Sequence, residues 1–190
     1  MIEHLEERSV IKGLAAGLVG GLVGSVVMNQ FQALLGKLIE GVERSHGAQS
    51  LQQGSPQHGV AAELQERDSD DERDDAAMRL ANAISVGVFD EELTRSEKHK
   101  AGTALHYAYG ISMGGLYGAA AELVPALTVG AGLPYGASIW VVADEGVVPA
   151  LGLSKSPSEY PLSTHAYALA SHLVYGLTTE LVRRGVRNAL

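Results

Sequence analysis

The chain has 190 residues, with 22 acidic against 14 basic side chains and a formal net charge of −8 at pH 7. That acidic balance, with no basic face carrying interleaved aromatics, argues against nucleic acid as a partner. With no cysteine anywhere, disulfides and thiolate metal sites are excluded.

Taken in chain order, the sequence opens on Met1–Arg8, which holds three glutamates, and then turns apolar from about Ile11 to Leu35. A bilayer crossing takes about 20 residues as a helix, so this segment is long enough for a span. A signal peptide is the competing reading; the acidic leader and the lack of a small-residue cleavage site favour an uncleaved helix. Residues 36–98 form a polar, acidic extramembrane segment whose most charged part runs from Glu66 to Asp75, and Gly41–Gly59 reads as flexible. Within it, Asp74–Val88 has Ala77, Leu80, Ala81, Ile84 and Val88 at helical spacing. This predicts a short amphipathic helix, either lying at a membrane interface or packed on the membrane domain.

Residues 99–190 are expected to hold three further spans, at about Lys100–Val124, Ala126–Val148 and Leu162–Val182, and a basic tail. From Ala101 to Val182 the charged residues are only Glu122, Asp144, Glu145, Lys155, Glu159 and Glu180. Thr94-Arg-Ser-Glu97 reads as a capping box before the first of these spans. Pro125 separates it from the next, Pro149 ends that one, and Pro161 with Ser163 opens the last. Arg8 and Lys12 at one end of the chain, with Arg183, Arg184 and Arg187 at the other, put both termini in the cytoplasm by the positive-inside rule.

Glycines recur every four residues: Gly13, Gly17 and Gly21, then Gly110, Gly114 and Gly118, then Gly132 and Gly136. Such faces let helix backbones approach closely in lipid, whereas in water each glycine would cost a helix about 1 kcal/mol relative to alanine. A soluble Gly/Ala-rich bundle is the alternative. The sequence also repeats itself. His106–Gly110 and His172–Gly176 both read His-x-x-Tyr-Gly, and Gly17-Leu18 with Gly21 aligns with Gly132-Leu133 and Gly136. The second offset sets Asn29-Gln30 on Asp144-Glu145. The expected fold is therefore all-α: an integral membrane four-helix bundle of two tandem helical hairpins, repeated in parallel.

Polar residues mark a site. Asn29, Gln30, His106, Asp144, Glu145, His165 and His172 are expected to converge on the outer half of the bundle, where ionisable groups are costly and face inward. Three readings stay open. The residues could form a satisfied hydrogen-bond network. A carboxylate beside an imidazole could instead handle protons or ions near neutral or mildly acid pH. The third is a cofactor: His106 and His172 as axial ligands of a haem b, or His165 with Asp144 or Glu145 holding a divalent metal. Few Phe or Trp stand ready to clasp a porphyrin, and no Cys-x-x-Cys-His motif exists. The glycine faces could also serve a homo-oligomer or a larger membrane complex, with this chain as an accessory subunit.

The run from Ser171 to Asn188, His106 with Gly110 to Glu122 and Pro125, and the Pro149-Ala-Leu-Gly-Leu153 turn resemble the YagU-type bacterial inner-membrane proteins, grouped under a domain of unknown function. The resemblance covers residues 97–188 well and the first helix weakly; residues 36–98 depart from it. It implies a small multi-pass protein of the inner membrane, linked to acid resistance by an unknown mechanism. It supplies no catalytic residues to carry over.

Overall fold

The computed structural model describes residues 2–38 and 74–190, with side chains over 9–35 and 74–190. The stretch expected to be flexible, Gly41–Gly59, lies outside the described residues. Among the described residues the fold is all-helical. Helix α1 spans Ile2–Leu38, α2 spans Ala76–Phe89 and α3 spans Arg95–Leu123. After a 3-10 turn at Pro125–Thr128, helix α4 covers 133–150, and α5 spans Leu162–Ala189.

Helix ends follow local chemistry. Asp75 caps α2 by accepting from the Met78 N–H at 2.8 Å. At α3 the Thr94–Glu97 capping box forms as the sequence predicts, and its hydrogen bonds hold the Glu97 carboxyl below the ordinary range. The third apolar segment differs from expectation. Gly130, Ala131 and Gly132 all have positive φ, at 76°, 53° and 85°, a conformation that cannot continue a right-handed helix. Helix α4 therefore starts at Leu133 rather than at Ala126. It then widens into a π-helix over Trp140–Val147 before Pro149, where an α-helical register would drive the proline ring into the preceding turn.

Close glycine contact sets the packing. Helices α1 and α3 run antiparallel, with Gly13, Gly17 and Gly21 against Gly118, Gly114 and Gly110. A Cβ at Gly17 or Gly114 would meet backbone of the partner helix, so no larger residue fits at this spacing. On a second face of α1, Gly20 lies against the Thr179 carbonyl and Gly24 against Tyr175 of α5. Helices α4 and α5 pair in the same manner, Gly132 and Gly136 abutting the carbonyls of Gly176 and His172. This second contact lies one helical turn out of register with the first, if His-x-x-Tyr-Gly is superposed on itself. Helix α2 lies on α3, its Met78 packed on Gly102.

The glycine faces are thus consumed within the chain. Between α3 and α4, by contrast, the link is a ring stack of Tyr117 on Tyr135 at 4.1 Å. Among the described residues one segment, Ser9–Leu35 in α1, is long and apolar enough to cross a membrane. The other expected spans fall short because α3 begins in a charged turn, α4 is broken by the turn and α5 is rich in hydroxyls, imidazoles and ion pairs.

Candidate functional site

Polar side chains run along the inside of the bundle in steps. At one end, Glu145 of α4 and His165 of α5 meet at 2.6 Å, and the other ring nitrogen of His165 lies 3.0 Å from the Pro157 carbonyl. A carbonyl only accepts, so Nε2 donates there and Nδ1 faces the Glu145 carboxylate. Both side chains are partly exposed, and Trp140 stands edge-on to the imidazole.

One step further in, Asp144 and His172 are buried, with Oδ2 and Nδ1 3.8 Å apart. The Nδ1 of His172 lies 2.9 Å from the Ala168 carbonyl. That bond fixes the tautomer: Nδ1 donates, and Nε2 holds a lone pair that no protein group meets. Neither oxygen of Asp144 has a hydrogen-bond partner, and both nitrogens of the buried His106 lack one too. Buried polar atoms of this kind each call for a partner, water included.

His106 and His172 face a common cavity lined also by Ser25, Met28, Ile139 and Tyr175. Its volume, for the centre of a water molecule, is about 10 Å³, room for one water or one bare ion. The hydroxyls here are turned to backbone: Ser25 donates to the Gly21 carbonyl at 2.9 Å and Tyr175 to the Gly110 carbonyl at 2.6 Å.

At the opposite end of α5 stands an ion cluster. Glu180, wholly buried, accepts from Arg183 at 2.7 and 3.0 Å and also from Arg184. Glu122 of α3 accepts from Arg187 at 2.8 and 3.1 Å and from Ser9 of α1, and lies 3.6 Å from Arg183. Three helices are tied together there.

Several expectations are corrected by these positions. Gln30 is exposed and joins none of the described polar groups; Gln32, not singled out from sequence, is the buried amide, and Tyr167 donates to its backbone carbonyl at 3.1 Å. The signal was present, because Gly17, Gly21, Ser25, Met28 and Gln32 continue one helical face. Asn29 donates to the Tyr107 hydroxyl at 3.1 Å, on the rim of the cluster. The set His165, Asp144 and Glu145 does not converge on one metal. Adjacent residues leave a helix roughly a quarter turn apart, so Glu145 reaches His165 while Asp144 turns to His172. No group of three or more His, Cys, Asp or Glu that could hold a metal ion occurs among the described residues. His106 and His172 do come together, but around a space for one atom-sized guest, which does not admit a porphyrin between them. The ion cluster was missed, although Glu180 with Arg183 and Arg184 at i+3 and i+4 is a helix-pairing pattern.

A family model described as "Protein of unknown function (DUF1440)" matches residues 77–181. No curated protein and no solved structure matches the chain.

Proposed function

The chain belongs to the DUF1440 family, proteins of unknown function, and from that premise we propose that it is a multi-pass membrane protein whose polar interior handles protons or small cations. The observation that carries this reading is inverted burial. Among the described residues the largest fully buried side chains are Met28 and then six polar ones, His172, Gln32, Glu180, Thr179, Ser25 and Ser171, whereas Leu18, Leu22, Val26, Leu116, Val141 and Leu181 are exposed. A water-soluble bundle does the reverse, and apolar surface of this extent suits lipid. Helix α1 supports the same reading, since less than half of its apolar window is buried, unlike the core helix of a soluble domain.

In this reading α1 crosses the inner membrane, and α3, α4 and α5, less apolar by themselves because their polar groups turn inward, cross beside it as two hairpin repeats, with both termini cytoplasmic beside Lys12, Arg184 and Arg187. The Glu145–His165 pair then lies at the outer rim and Asp144–His172 one step inside it. A buried carboxylate without a hydrogen-bond donor requires a countercharge, and a proton or a small cation supplies one. The YagU-type resemblance of residues 97–188 adds acid tolerance as the setting in which such handling matters.

The test is reconstitution. Proteoliposomes under a pH or monovalent-cation gradient are expected to show flux above protein-free vesicles, reduced at least fivefold by Asp144→Asn. Recovery of the protein in solution without detergent, or flux no greater than in empty vesicles, would overturn the proposal.

A further inference from the structure

We infer that the cavity between His106 and His172 is a binding site for one soft monovalent metal cation, Cu(I) in the first instance, with Met28 as its sulfur ligand. The inference rests on the cation-handling reading above and names the cation. Met28 is 2 % exposed and lines the same cavity as the two histidines. Its soft thioether and two borderline imidazoles make a neutral donor set, which favours Cu(I) over hard cations.

Each imidazole has a nitrogen to give. His172 spends its Nδ1 hydrogen on the Ala168 carbonyl, so Nε2 keeps its lone pair. His106 has both nitrogens free of protein partners, and its neutral form carries one lone pair. Metal-bound imidazoles usually donate the second ring N–H to a carbonyl or carboxylate. His172 already does so, with Asp144 3.8 Å from the same nitrogen.

Size and charge narrow the guest. The cavity holds one atom-sized occupant, not a hydrated ion. The lining contains no carboxylate. A divalent ion such as Zn(II) would find one buried carboxylate nearby, Asp144, and leave a net positive charge in a low-dielectric interior. A monovalent ion with ionised Asp144 leaves none.

The experiment uses the full chain in detergent under reducing conditions, with Cu(I) held by a chromogenic chelator. The protein is expected to withdraw one Cu(I) per chain. Met28→Leu and His172→Gln, both close in volume to the originals, are each expected to weaken retention at least tenfold. Met78→Leu, at a buried methionine on α2, is expected to leave it unchanged. X-ray absorption should report one sulfur and two nitrogen neighbours, and thermal melting should show each variant folded. Retention unaffected by Met28→Leu, a nitrogen- and oxygen-only metal environment, or displacement of Cu(I) by equimolar Zn(II) would overturn the assignment. Proton flux that persists in a protein unable to retain Cu(I) would sink the metal site alone and leave the broader reading standing.

Discussion

Asp75 shows how one side chain can serve two opposed requirements. As the cap of α2 it accepts from the Met78 N–H, which favours the charged carboxylate; burial opposes that charge more strongly and pushes the carboxyl up to about 6 from 3.8. Asp74 beside it adds to the rise, though its own carboxylate is bound by Lys98 at 2.8 Å. A carboxyl raised in the folded state binds its proton more tightly there than in the unfolded chain. Its stabilising contribution is therefore complete below pH 3.8 and is lost as the pH climbs through about 6. Docking of α2 on α3 should thus be firmer in acid, by up to about 3 kcal/mol. Hydrogen exchange across Ala76–Phe89 would measure it, with protection falling between pH 4 and 6. Asp75→Asn keeps a capping oxygen without the charge, and is expected to hold the acid level of protection at pH 7. Unchanged pH dependence in that variant would refute the argument. Gly132 is a second such position, since its φ of 85° and its contact with the Gly176 carbonyl each forbid a side chain. Gly132→Ala should cost at least 1 to 3 kcal/mol of stability, read by thermal unfolding.

At the scale of the helix, glycine has opposite meanings on different faces. Along α1 and α3 it sets the interhelical distance, and Gly17→Leu would push the two backbones apart against the whole triad. We expect that variant to unfold at markedly lower temperature, with loss of protease resistance in α3. Gly185 in α5 meets nothing within 4 Å, so Gly185→Ala should stabilise by about 0.5–1 kcal/mol through helix propensity alone. A glycine spacing of four was legible in the sequence, and so were the capping box, the α2 helix and the boundaries at Pro125 and Pro161. Periodicity reports a face, however, and not the partner of that face. The start of α4 was hidden because an apolar run with glycines reads the same as helix or as turn until φ is known. The π-helix was hidden for a related reason: it shifts the register of Asp144 and Glu145 without changing composition. The same limit explains Gln30 and Gln32. Both are amides near the end of an apolar run; the face of Gly17, Gly21, Ser25 and Met28 includes Gln32, but only the packing of α1 on α3 and α5 shows that this face is the inner one.

The whole molecule is held at its two ends by different chemistry: carboxylate–imidazole pairs at one, and carboxylate–guanidinium pairs at the other. The histidines were conspicuous in the sequence because they repeat in matched motifs. The arginines were read for orientation, and their inward contacts required the fold. Glu180 has no exposure and draws Arg183 and Arg184 onto it, while Glu122 holds Arg187 and Ser9 and lies near Arg183. Such a network is assembled at a high desolvation cost, so its removal as a unit and its disruption one partner at a time have different consequences. Glu180→Gln would leave the buried Arg183 guanidinium with Glu122 alone, at 3.6 Å. That should cost about 3–5 kcal/mol and lower the thermal midpoint in detergent sharply. Glu180→Gln with Arg183→Gln removes the stranded charge, and should recover much of the loss. The sign of this coupling is the decisive quantity, because groups that share a buried network are not additive. Strictly additive costs in the double-mutant cycle would mean that the cluster is open to water. A large recovery would mean that the ends of α1, α3 and α5 are clamped in a water-poor interior.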